Sequence, residues 1–140
     1  MQHEVSGEDQ EFLRSFDDCE VEPADFNHKA HLKLAYILLA MHGVKDATPR
    51  FRTALQAFLQ RNGIDPTKYH ETMTQAWLLA VLHFMDRAGN TASAEEFVKA
   101  SPVLHDPKIM LTHYSQELIR SDRARREFVA PDLDPIARRH

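Results

Sequence analysis

Two segments of this 140-residue chain are apolar on almost every side, and they constrain its fold more than any other feature. They cover residues 32–41 and 73–85. A helix without a polar face cannot lie against water, so it must be buried among other helices. Leu and Ala supply 30 residues whereas Val and Ile supply 12, which favours helices over strands. The sequence therefore predicts an all-α fold with two buried central helices.

Caps and helix-breaking residues divide the remaining chain. We expect longer helices at about 27–41, 49–62, 68–88 and 107–120, with Gly43 ending the first and Pro49 opening the second. Shorter helical segments are expected near 12–16, 93–101 and 122–129. We expect a compact bundle of five to six helices. Its core should centre on five residues: Leu34, Leu38, Trp77, Val81 and Phe84.

The length is that of one domain, residues 1–140. Residues 1–8 are expected to fray, and the prolines near the C-terminus predict an extended basic tail over residues 130–140. The only cysteine, Cys19, excludes an internal disulfide framework and is expected to be a packed or exposed thiol. No apolar run is long enough for a membrane span, and the acidic N-terminus is unlike a signal peptide. We therefore expect a cytoplasmic protein.

Charge is distributed unevenly along the chain. The net charge is −4, which argues against a nucleic-acid-binding protein. Residues 1–25 hold nine acids and one base, whereas the last 21 residues hold six arginines, among them Arg138 and Arg139. Both ends can simply be solvated. Alternatively the two ends meet, or Arg125 and Arg126 hold an anionic ligand through their planar guanidinium groups.

Histidines mark the start of both apolar helices. At about 100° per residue, His28 and His31 lie about 60° apart, on a stripe that continues into the apolar segment. On the other helix His70 shares a stripe with Thr74 and Trp77, and Glu71 flanks it. If the two helix starts are neighbours, three imidazoles and a carboxylate converge on one point.

Such a group of side chains can bind a divalent transition metal: zinc, iron, copper, manganese or nickel. The predicted ligands are His28, His31, His70 and Glu71. In a metal-dependent enzyme, Glu71 would be a ligand or the general base, and Thr74 would hydrogen-bond in support. Three further candidates for cofactor or substrate binding are Trp77, His113 and Arg125, the last for an anionic group of a small molecule.

Three other interpretations of the same residues remain open. The pocket can bind a small organic ligand without metal, with the histidines as hydrogen-bonding or acid–base groups. The histidines can be purely structural, as capping or hydrogen-bonded core residues. The protein can also be an interaction domain whose basic tail attracts a partner. The residues do not decide between an enzyme and a binding protein, nor do they give an oligomeric state.

Three stretches, residues 27–32, 69–77 and 128–133, resemble those of small helical bacterial proteins of unknown function. The likeness spans most of residues 12–135 and implies a cytosolic single domain without indicating a reaction. The arrangement is also similar to histidine-bearing helical bundles that hold one metal, such as the DinB-like group. This second likeness is one of architecture, and a fold by itself does not define a function.

Overall fold

The structure, a computed structural model, describes residues 3–18 and 20–136, which form helices and no β-strand. Its α-helices are α1 (Gly7–Asp17), α2 (His28–Arg61), α3 (Glu71–Ala88), α4 (Ala94–Ala100), α5 (Gln116–Ile119) and α6 (Asp122–Arg126). Short 3₁₀ helices cover Pro23–Asp25, Pro66–Lys68, Pro102–His105 and Pro107–Thr112. The all-α prediction is confirmed. The predictions for Cys19, Arg138 and Arg139 concern residues outside the described ranges.

The central pair is α2 and α3, which share the largest contact between any two helices. Leu34, Leu38 and Val81 are buried in this contact region, as the apolar runs predict. Trp77 and Phe84 are only partly buried, so placing them at the centre of the core was wrong. Trp77 is only partly buried because it lines a cavity beside α3.

The two helices expected on either side of Gly43 form one element with a kink. Gly43 has φ 77° and ψ 164°, a conformation that side chains strongly disfavour. It separates an N-terminal half of α2, residues 28–42, from a C-terminal half, residues 44–61. Pro49 therefore lies inside the C-terminal half and not in a first helical turn.

The long helix predicted at residues 107–120 does not form. A 3₁₀ helix ends at Thr112, and Ser115 caps the four-residue helix α5 instead. The Asp132 carboxylate accepts hydrogen bonds from both the backbone N–H (2.8 Å) and the hydroxyl (2.6 Å) of Ser115. This contact fixes the break, because it holds Ser115 in the extended conformation of a cap.

The described residues near each end of the chain contact the rest of the molecule. The backbone N–H of Glu4 donates to the Thr91 carbonyl (2.8 Å), and α1 begins at Gly7, within the stretch that was expected to fray. Near the other end, the Tyr114 hydroxyl donates to the Val129 carbonyl (2.7 Å) and the Leu133 N–H donates to the His113 carbonyl (2.9 Å). The segment before residue 136 thus packs back onto the bundle.

Within the described residues, no helix has the length and apolar character that a membrane crossing requires.

Candidate functional site

A cavity of about 540 Å³ lies between the two halves of α2 and the first half of α3. We call it the histidine cavity, because His28, His31 and His70 all line it. Thr74 and Trp77 also line it, so five of the predicted site residues meet here. Most of the wall is apolar, formed by Phe26, Leu32, Ala35, Phe51, Leu55, Phe58, Leu59, Ile64, Met73 and Val81.

His31 lies one turn into α2, with its ring stacked on that of Phe26 at a centroid distance of 4.1 Å. Phe26 directly precedes the capping residue Asn27. The residue before an N-cap commonly packs against the fourth residue of the helix, which here is His31. Burial, helped by the nearby His28, lowers the pKa of His31 to about 4. The imidazole is therefore neutral near pH 7. Among the described residues neither of its ring nitrogens has a hydrogen-bond partner.

His28 begins α2 and is fixed on one side only. Its Nε2 donates to the Leu104 carbonyl (2.8 Å), since a carbonyl oxygen can only accept. The ring also meets that of Trp77 edge-on, with centroids 4.7 Å apart. Nδ1 has no hydrogen-bond partner among the described residues, so it is left as a possible acceptor beside the cavity.

His70 has both ring nitrogens occupied. As the N-cap of α3, it accepts a hydrogen bond at Nδ1 from the Met73 N–H (3.1 Å). Its Nε2 donates to the Ile119 carbonyl (2.7 Å). A metal ion could bind this ring only by displacing one of these two bonds. His70 thus links the start of α3 to α5, a structural role that the sequence left open.

The other polar side chains of the histidine cavity are also in use. The Thr74 hydroxyl donates to the His70 carbonyl (2.8 Å), and the Tyr69 hydroxyl donates to Glu71 Oε1 (2.6 Å). Asn27 and Lys68 line the cavity with exposed side chains. Among the partly buried polar side chains of the cavity, unused hydrogen-bonding capacity is therefore concentrated at His31 and at Nδ1 of His28.

Glu71 does not join the histidines, contrary to the predicted ligand set. It lies about 100° further round α3 than His70, and this rotation directs it to a different partner. Arg52 Nε and Nη2 donate to its two oxygens at 2.9 and 2.7 Å. Gln75 Nε2 donates to Oε2 (2.5 Å) in addition to the bond from Tyr69. The carboxylate is thus fully occupied on the α2 side of α3.

The pKa of Glu71 is consistent with a structural ion pair. Burial raises the pKa of this carboxyl. The hydrogen bonds from Arg52, Tyr69 and Gln75 together lower the pKa by more than burial raises it, so the net shift is downward. A carboxylate with a lowered pKa is a weak proton acceptor, which argues against the predicted role of Glu71 as general base.

The predicted four-ligand metal centre is not assembled. Among residues 3–18 and 20–136, no group of three or more histidine, cysteine, aspartate or glutamate side chains is placed to hold a metal ion. The physical reasons are the double hydrogen bonding of His70 and the pairing of Glu71 with Arg52. Metal binding by the protein stays a prediction.

Two further predicted site residues lie elsewhere. His113 is at the end of a 3₁₀ helix, and its Nδ1 donates to the Asp134 carbonyl (2.8 Å), so it does not line the histidine cavity. The broken helix at residues 113–115 turns the ring towards the C-terminal segment. Arg125 lines a second cavity together with Arg52 and Glu71.

Sequence reasoning missed two residues of these sites. Phe26, which stacks on His31, occupies the position before an N-cap, and that position is a recognisable packing signal. Arg52, which holds Glu71, carries no such signal. Arg52 lies on the polar side of the amphipathic C-terminal half of α2, where most arginines are solvated. The hydrophobic periodicity shows which side of the helix Arg52 occupies, but it does not show that Glu71 contacts it.

In comparisons with models of protein families, with curated proteins and with solved structures, nothing matches this chain. The interpretation of the site therefore depends on its own geometry.

Proposed function

We propose that the protein binds a small, mainly apolar molecule in the histidine cavity and that His31 holds the molecule's one polar group. The observation that carries the proposal is the contrast between apolar walls and unpaired imidazole nitrogens at His31. Pockets that bind small molecules commonly enclose about 300–1,000 Å³ with few polar groups, and a volume of about 540 Å³ lies within this range.

The chemistry of the lining favours a neutral or anionic polar group over a cationic one. Neutral His31 offers one N–H donor and one acceptor nitrogen, which a hydroxyl group matches in both directions. Lys68 is the charged lining residue, and within the described residues no aspartate or glutamate lines the cavity. A ligand ammonium group would therefore meet a positive charge and no compensating carboxylate.

The proposed activity is binding and not catalysis. The carboxylate predicted as a general base is held by three donors, and the Thr74 hydroxyl is used within its own helix. His31 is the imidazole with no hydrogen bond of its own, but a pKa of about 4 makes it a poor general base near neutral pH.

Three compounds with the same tail test the proposal: octanol, octanoate and octylamine. Trp77 is the chain's single tryptophan and lines the cavity, so its fluorescence reports occupancy directly. We expect saturable changes with octanol and octanoate and the weakest binding with octylamine. His31→Phe should weaken octanol binding about tenfold, the effect of losing one hydrogen bond of about 1.4 kcal/mol.

His42→Phe is the matched control, since it removes a histidine of the same helix that does not line the cavity. It should leave octanol affinity within about twofold. Absence of binding by all three compounds, or equal affinity in wild type and His31→Phe, would contradict the proposal. Metal uptake would support the metal-binding interpretation instead of this proposal. The decisive result would be that untagged protein binds zinc, iron, copper, manganese or nickel stoichiometrically and that His31→Phe does not.

A further inference from the structure

A second cavity, of about 660 Å³, lies against the C-terminal half of α2, the start of α3 and residues 125–128. Three arginines line it, Arg52, Arg125 and Arg126, and we call it the arginine cleft. Arg125 is half-buried, whereas Arg126 is exposed. This cleft brings together two arginines that the charge pattern of the sequence singled out and that the proposed function does not use.

Both acids that line the arginine cleft already have partners. Glu71 is paired with Arg52 through two hydrogen bonds, and Glu127 is paired with Arg123 at 3.3 Å. Among the described residues, the guanidinium groups of Arg125 and Arg126 have neither a carboxylate nor a hydrogen-bond partner. The cleft therefore presents two uncompensated positive charges at consecutive positions.

Arg125 and Arg126 line the same cleft, and an anion bound there is attracted by both positive charges. A phosphate monoester suits this position better than a carboxylate does. It carries about −1.5 to −2 charges near pH 7 and three terminal oxygens, so it can satisfy two planar donor groups together. A single carboxylate has two oxygens and one charge, which match only one guanidinium group. Gln56 lines the same cleft and has a side-chain amide that can donate, whereas the Gln75 amide already donates to Glu71.

We propose that the arginine cleft is a binding site for the phosphate group of a small phosphate monoester, held by Arg125 and Arg126. The site is distinct from the histidine cavity, although Tyr69 lines both. Its volume is that of a small-molecule pocket. The acidic net charge of the chain argues against nucleic acid as the source of the phosphate.

Calorimetric titration of the full-length protein with phenyl phosphate tests this site, with benzoate as the matched carboxylate. We expect saturable binding of phenyl phosphate and at least about tenfold weaker binding of benzoate. The double variant Arg125→Gln/Arg126→Gln should weaken phenyl phosphate binding at least about tenfold. Arg120→Gln removes the same charge from an exposed arginine outside the cleft and should change affinity less than about twofold.

His31→Phe should bind phenyl phosphate as the wild type does, which separates this test from that of the histidine cavity. If the double variant fails to fold, the single exposed change Arg126→Gln should still weaken binding several-fold. The proposal is overturned if wild-type protein shows no saturable binding up to about 10 mM, or if benzoate binds equally well. Equal losses in Arg120→Gln, or tighter binding of a single-stranded oligonucleotide than of phenyl phosphate, would also overturn it.

Discussion

Three histidines in one cavity have different hydrogen-bonding environments, although all lie within one turn of a helix start. His70 is bonded at both ring nitrogens, His28 at one, and His31 at neither among the described residues. An imidazole with two bonds is a structural group, whereas a partly buried one with none, such as His31, is available to a ligand. The chemical capacity of each residue thus depends on which backbone carbonyls and N–H groups lie within reach.

The neutral state of His31 should make folding sensitive to acid. Its pKa is about 4 in the folded protein and near 6.5 when unfolded, so the unfolded chain binds the extra proton between these values. Stability should therefore fall as pH decreases from about 6.5 to 4, at up to about 1.4 kcal/mol per pH unit from this group. Urea unfolding of wild type and His31→Phe at several pH values measures the difference. Parallel pH profiles for the two proteins would contradict the assignment.

His70→Ala should destabilise the fold by about 1–3 kcal/mol, because it removes the cap of α3 and leaves the Ile119 carbonyl without its donor. His70→Asn should recover part of this loss, since asparagine is a good N-cap but is too short to reach Ile119. Chemical denaturation gives both values. Equal stability of the alanine variant and wild type would show that the two bonds are not formed in solution.

At the level of elements, α2 shows how one residue changes a helix without ending it. The kink at Gly43 turns the chain between two halves that both face α3. Within the described residues, no atom beyond its chain neighbours and the nearby backbone of its own helix lies within 4 Å of the position that a Cβ would occupy, so space does not explain the glycine. Its backbone conformation does, because φ is 77°.

Gly43→Ala should destabilise the protein by about 1–3 kcal/mol through backbone strain alone. Gly7→Ala is the control: Gly7 begins α1, has equally open surroundings and no positive φ. We expect that control to be neutral or slightly stabilising, because alanine restricts the unfolded chain. Thermal unfolding compares the two variants. If Gly43→Ala is as stable as Gly7→Ala, the kink is not fixed by this glycine.

At the level of the whole molecule, the Arg52–Glu71 pair joins the two halves of the central unit. Arg52 belongs to the C-terminal half of α2 and Glu71 to the first turn of α3, with residues 62–70 between them. The carboxylate is nearly buried, at 9% side-chain exposure, while the arginine is 37% exposed. The pair also forms a wall of the arginine cleft, so the fold and the proposed phosphate site depend on the same contact.

Arg52→Ala should lower stability by about 1–3 kcal/mol, because it leaves a buried carboxylate with only neutral donors. In a double-mutant cycle with Glu71→Gln, the coupling energy should exceed about 1 kcal/mol. The pKa of Glu71 is lowered by its partners, so its contribution is present near neutral pH and is lost as pH falls through that pKa. Additive effects of the two changes would show that the pair is not formed.

The amino-acid sequence by itself determined the features that depend on neighbours along the chain. Asn27, Ser93 and Ser121 cap helices because their side chains reach N–H groups two or three residues on. The apolar runs determined which helices are central, since such segments have no alternative to burial. Helical periodicity likewise placed His28, His31 and the stripe of His70 towards the interior.

Only the tertiary structure decided what each of these side chains meets. Periodicity gives the side of a helix that a residue occupies, but the partner comes from a distant part of the chain, such as Leu104 for His28 and Arg52 for Glu71. The rotation of about 100° between His70 and Glu71 was visible in the sequence, yet its consequence depended on where α2 lies. The imidazoles therefore share one cavity while the carboxylate and Arg125 line another, because packing between helices determines which groups become neighbours.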